Sequence, residues 1–110
     1  MIFVTGPMYS GKKEYISSVL GIRSEELSSR AVWDVQNLAE GDLVSLADRL
    51  ALNDIVIASE IGAGVVPIDA QERIHREAAG RLACLLAERA DTVIRVCCGL
   101  PQLLKGEWPC

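Results

Sequence analysis

No apolar run in this chain approaches the roughly 18 residues a membrane-spanning helix needs, although half of its 110 residues are hydrophobic and its mean hydropathy is +0.25. A soluble domain without a membrane partner is expected. The chain also lacks any cluster of Lys and Arg, and its formal net charge is -4 with a pI near 4.9. Affinity for a polyanion comes mainly from clustered cations, which argues against a nucleic-acid partner. The opening "MIFVTG" has no basic flank followed by a long apolar stretch, which argues against a secretory signal and for a cytoplasmic location. Cys84, Cys97, Cys98 and Cys110 form neither a C-x-x-C pair nor a Cys/His set at zinc spacing. Reduced, mostly structural thiols are expected, with a disulfide or bound metal at the C-terminus as the alternative. There is no repeat, low-complexity tract or interdomain linker, so residues 1–110 read as one domain.

The chain does have an alternation of strand and helix signals. Residues Ile2 to Thr5 are a short β-favouring run that ends at glycine. Lys12 to Leu20 place Tyr15, Ile16, Val19 and Leu20 on one helical face, and Gly21 is a natural stop. "GIRSEELSS" reads as polar and irregular, and "AVWDV", Ala31 to Val35, as a second strand. From an expected N-cap at Asp42, the residues Leu43, Leu46, Ala47 and Leu50 recur as an amphipathic helix requires. "DIVIAS" is a third strand. Asp69 and Glu72 form a D-x-x-E capping box that opens a helix to about Ala90, with a stripe through Ile74, Ala78, Leu82, Leu85 and Leu86. "DTVIRVCC" is a fourth strand. The alternation predicts an α/β fold of the P-loop NTPase-like (RecA-like) kind: a mainly parallel sheet with helices on both faces, reduced in size.

Between the first strand and first helix lies "GPMYSGKK". G-x-x-x-x-G-K is complete from Gly6 to Lys12, but the Ser or Thr that should follow is Lys13. A Gly-rich loop in this setting offers backbone N–H groups and a positive helix end to an anion, with a lysine reaching the terminal phosphates. Gly6, Pro7, Met8, Tyr9, Ser10, Gly11, Lys12 and Lys13 are therefore the candidate binding residues for GTP or ATP, and Lys12 a candidate catalytic residue. The missing hydroxyl normally coordinates Mg²⁺, which neutralises the β and γ phosphates. An ammonium at position 13 makes Mg²⁺ dependence doubtful and phosphoryl transfer slow.

A second stretch carries the more specific signal. Glu60, Gly62, Gly64, Val66 and Pro67, then Arg73, Arg76, Glu77, Ala79 and Gly80, then Ala90, Asp91 and Val93 match, in order, the segments N-E-V-G-x-G-I-V-P, R-x-F-R-D-x-A-G and A-D-x-V. This pattern resembles the adenosylcobinamide kinase/adenosylcobinamide-phosphate guanylyltransferase family, whose N-terminus is likewise a strand and phosphate loop. With "FVTGPMYSGKK" the resemblance covers roughly two thirds of the chain.

The resemblance implies an enzyme of cobalamin assembly and salvage, cytoplasmic and assembled as a ring of like subunits, that phosphorylates adenosylcobinamide and then transfers GMP through a guanylylated histidine. A corrinoid is the implied second ligand. The family's histidine lies in an H-R-x-x-R-P-x-x-W segment of a long central stretch, almost all of which is absent here. The only histidine, His75, falls in the R-x-F-R-D segment, where it cannot inherit that role. Two alignments of the middle stay open: Asp34 as the strand-end carboxylate that supports a metal, or Trp33 as the remnant of R-P-x-x-W. Glu60, after a buried strand, is a candidate catalytic carboxylate for metal, water or substrate hydroxyl, or merely the residue that fixes the turn. Gly62 and Gly64 let the backbone approach a ligand or simply turn the chain. Three readings follow: a cobinamide kinase-like enzyme without guanylyltransferase activity, an inactive paralogue that binds a nucleotide or partner, and a small nucleotide-binding module unrelated to corrinoids.

Overall fold

A computed structural model describes residues 1–61 and 69–109. Four β-favouring runs form the parallel part of one sheet: β1 (Ile2–Thr5), β2 (Ala31–Val32), β3 (Ile55–Ile57) and β4 (Thr92–Cys97). The sheet order is β2-β3-β1-β4-β5, where β5 (Leu100–Lys105) is antiparallel to β4. Ile2 pairs with Ile55 on one side and Thr92 on the other, so β1 lies at the centre. Alternation sends Phe3, Val56 and Val93 to one face and Val4, Ile55, Ile57 and Ile94 to the other. Both faces are buried, which is why these strands read as continuous apolar runs.

Helices cover the two faces as expected. α1 (Lys12–Leu20) buries Ile16 against the second face, with Tyr15, Val19 and Leu20 packed beside it. Gly21 ends it in the left-handed conformation, its N–H reaching the Ser17 and Ser18 carbonyls. α3 (Leu43–Leu50) and α4 (Ala70–Arg89) cover the first face. Asp42 caps α3 by accepting from the Ser45 amide at 3.2 Å and the Ser45 hydroxyl at 2.8 Å. All four predicted apolar positions of α3 are buried.

Several expectations are corrected. "SEELSSR" is a helix, α2 (Ser24–Arg30), and not irregular chain. Its single apolar anchor, Leu27, is buried, while Glu25 and Glu26 at the start and Arg30 at the end suit the helix dipole. The "AVWDV" strand stops after Val32, because Asp34 turns to φ 56 and the chain enters a 3-10 turn, Val35–Leu38. At α4, Asp69 accepts from the Gln71 amide at 2.8 Å, one residue earlier than a capping box would place it. The buried face of α4 consists of Ala79, Leu82 and Leu86, and Ile74 is 61% exposed.

The strand β5 was not expected. A two-residue turn, Cys98 (φ 54) and Gly99 (φ 74), joins it to β4, as tight hairpins of this hand require. It forms a largely exposed edge, where Pro101 is tolerated. Cys84, Cys97 and Cys98 are free thiols, and Cys110 lies outside the described residues. No helix among the described residues is long and apolar enough to cross a membrane.

Candidate functional site

The first strand delivers its loop to the carboxyl ends of the parallel strands, where open α/β sheets bind ligands. Gly6 sits at φ 147 against β4, and a Cβ there would collide with the Val96 carbonyl oxygen. Gly11 caps α1 at φ 89, and a Cβ there would lie 3.6 Å from the Gly99 Cα. Gly6 thus allows the loop to lie directly on the end of β4, while at Gly11 it is the left-handed φ, not lack of space, that favours glycine. Tyr9 takes φ 56 at the tip and is fully exposed.

Three of the loop's carbonyl groups are committed elsewhere. The Gly6 carbonyl accepts from the Glu60 amide at 2.9 Å, Ser10 from the Gly99 amide at 2.8 Å, and Gly11 from the Tyr15 amide at 2.9 Å. Lys12 is only 7% exposed; its Nζ donates to the Pro7 carbonyl at 2.6 Å and lies 3.4 Å from the Gly6 carbonyl and Ser10 Oγ. Burial pushes the Lys12 pKa down, against the opposing pull of Asp34, Glu60 and Glu14. No salt bridge to Lys12 forms among the described residues. A buried ammonium held by neutral oxygens beside first-turn amides that have no partner within their own helix is suited to an anion.

Met8 to Lys13, with Glu14, Asp34, Ile57 and Ser59, line a cleft of about 310 Å³. The structure therefore brings the candidate residues Met8, Tyr9, Ser10, Gly11, Lys12, Lys13 and Asp34 together, with Gly6 and Pro7 at the base of the loop. The Lys13 ammonium is over the Trp33 ring, 4.4 Å from its centroid. The oxygen donors on side chains lining this cleft are the Asp34 and Glu14 carboxylates with the Ser10 and Ser59 hydroxyls, and the residue that should bring the usual ligand hydroxyl is Lys13, which brings a cation instead. That set does not fit the usual Mg²⁺ site of a phosphate loop. Among the described residues no group of three or more His, Cys, Asp or Glu gathers elsewhere.

Glu60 is next door, lining a cavity of about 160 Å³ with Thr5, Gln36, Ser59 and Arg76. Its carboxylate is taken up by Arg95, which donates Nε to Oε1 at 2.6 Å and Nη2 to Oε2 at 3.0 Å. The Arg95 hydrogen bonds hold the Glu60 carboxyl below its ordinary range, and the pairing raises the Arg95 pKa. Gly62 and Gly64 lie outside the described residues. His75 sits in neither place: its Nε2 is 3.0 Å from the Gln36 carbonyl, and it lines a separate cleft with Glu40 and Arg81.

Sequence reasoning passed over Arg95, Ser59 and Gln36. Arg95 had a signal, as the lone charge inside the strand run "TVIRVCC". Gln36 is buried and accepts from the Ser59 amide at 2.9 Å, so it ties the turn after Asp34 to the end of β3. Only the fold could reveal that bond.

Residues 24–104 match the protein family described as cobinamide kinase / cobinamide phosphate guanyltransferase. The match begins after the phosphate loop. The chain is also 42% identical over 53 residues to the bifunctional adenosylcobalamin biosynthesis protein CobP of Pseudomonas aeruginosa PAO1. That similarity covers 48% of this chain and 31% of the relative.

Proposed function

This chain belongs to the cobinamide kinase / cobinamide phosphate guanyltransferase family, and from that premise we propose that it binds a nucleoside triphosphate, GTP or ATP, on the Gly6 to Lys12 loop in cobalamin assembly, without the guanylyl-transfer half of the chemistry. The observation that carries the reading is Lys12, a buried ammonium bonded, among the described residues, to loop oxygens beside an open cleft. In the complex, Lys12 turns from the Pro7 carbonyl to a phosphate oxygen, and the first-turn amides of α1 complete the cradle.

Guanylyl transfer needs a nucleophile within reach of the α phosphate. The one imidazole of this chain, His75, is on α4 against Gln36 and faces a different cleft. Phosphoryl transfer to a corrinoid hydroxyl would require a base and charge neutralisation. Glu60, in the adjoining cavity, is the candidate base, yet its pairing with Arg95 lowers its basicity. Lys13 supplies a point charge that cannot bridge two phosphates in fixed geometry. The same two features favour a second reading, a protein that binds nucleotide or a partner without turnover.

Calorimetry with GTP and ATP, with and without Mg²⁺, followed by a kinase assay on cobinamide, tests both. Binding with dissociation constants of roughly 1 μM to 1 mM, about -8 to -4 kcal/mol, is expected. Intact mass after incubation with GTP should show no added GMP. An adduct that disappears in His75→Ala would overturn the assignment, and no binding at millimolar nucleotide would sink the site.

A further inference from the structure

A loop that holds an anion must turn its amides inward and its carbonyls outward, because a carbonyl oxygen facing phosphate repels it. Two of the outward carbonyls are held by residues distant in sequence. The Gly6 carbonyl is tied to the Glu60 amide, and the Ser10 carbonyl to Gly99 at the tip of the β4–β5 hairpin, at 2.8 Å. Gly99 also forms the surface against which Gly11 packs, and its φ of 74 aims the amide at Ser10.

We propose that the Cys98–Gly99 turn is a positioning element of the nucleotide site: the Gly99 N–H fixes the Ser10 carbonyl away from the cleft, so that the loop is set for phosphate before ligand arrives. This rests on the phosphate-loop reading above and adds to it a residue outside the motif. A preset loop avoids the cost of ordering on binding, so loss of the brace appears as weaker affinity. The two successive left-handed residues are essential to the geometry. A β-branched side chain at position 99 disfavours φ 74 and swings the amide away, whereas Asn tolerates that φ and keeps the N–H.

The test compares wild type, Gly99→Val, Gly99→Ala and Gly99→Asn by calorimetry with ATP and by the ¹H–¹⁵N shifts of the Ser10, Gly11 and Lys12 amides. Gly99→Val is expected to bind ATP about three- to tenfold more weakly, the equivalent of one lost neutral hydrogen bond. Gly99→Asn should stay within about twofold of wild type, and loop shifts should move in Gly99→Val but not in Gly99→Asn. Should Gly99→Val fail to fold, Gly99→Ala, with milder strain at the same φ, takes its place with the same signs. Unchanged affinity together with unmoved loop amides in Gly99→Val or Gly99→Ala overturns the proposal. If wild type binds no ATP, the phosphate-loop reading fails instead, and the amide shifts alone decide whether the turn sets the loop.

Discussion

Replacing Lys12 with Met separates what this residue does for binding from what it does for the fold. Met keeps an unbranched apolar stem and deletes the ammonium. In the free protein that ammonium is nearly buried, holds the Pro7 carbonyl at 2.6 Å, and has its pKa lowered by desolvation. Relief of that burial offsets loss of the bond, so unfolding stability should change by about 1 kcal/mol or less. In the proposed nucleotide complex the same group would make charge-assisted bonds to phosphate, worth about 1.5–3 kcal/mol. Its loss should therefore weaken ATP binding about 10- to 150-fold. Urea titration measures the first quantity and calorimetry the second, with Tyr9→Ala, a fully exposed loop-tip change, as the comparison expected to weaken binding far less than Lys12→Met. An affinity within about twofold of wild type would refute the role of Lys12. So would a collapse of the urea midpoint parallel to the loss of binding, which would mark the residue as structural.

Lys13→Ser should make ATP affinity depend on Mg²⁺ where wild type is nearly indifferent to EDTA; calorimetry with the metal present and chelated decides it, and a wild type that requires Mg²⁺ would contradict the argument. The Glu60–Arg95 pair has a definite pH sign, since a carboxyl lowered in the folded state stabilises above its unfolded pKa and loses that contribution as pH falls through the folded value. The urea-stability gap between wild type and Arg95→Leu should accordingly be widest near neutrality and close below about pH 4. Leu86→Ala, at a fully buried position of α4 away from the loop, should cost about 2–5 kcal/mol of stability and leave ATP affinity in the folded protein unchanged.

The elements legible in the sequence were those with dense apolar periodicity. Ile2 to Thr5, the α3 stripe and "DTVIRVCC" carry enough buried side chains to declare themselves, and the loop between the first strand and α1 follows from its glycines. α2 was hidden because only Leu27 in "SEELSSR" faces the core, so no period could be counted. β5 was hidden for the opposite reason: an exposed edge strand with Pro101 has no buried alternation to read. For the site, Lys12 and Asp34 share the cleft that the motif implied, while Glu60 lies one cavity over, clasped by an arginine from a strand that is 35 residues further on. Long-range pairs of this kind leave no local pattern. Ile74 failed as a core position because helical spacing alone cannot say where a helix first meets the sheet.

Position 13 ties these observations to the chemistry. A cation–π contact at an exposed site is worth about 0.5–1 kcal/mol, less than the roughly 1.5–3 kcal/mol of a charge-assisted bond to phosphate. The Lys13 ammonium, 4.4 Å from the Trp33 ring, is thus held weakly enough for a triphosphate in the adjoining cleft to draw it away. What it brings is one positive charge on a flexible stem. A divalent ion brings two charges and a rigid octahedron that fixes the β and γ oxygens relative to each other, and transfer depends on that fixity more than on charge alone. Lys12, the α1 amides and the braced loop need no such ion to hold an anion. On the proposed reading, phosphate recognition and phosphoryl transfer therefore rest on different atoms, and replacing one hydroxyl with an ammonium would remove support from the second while leaving the first in place.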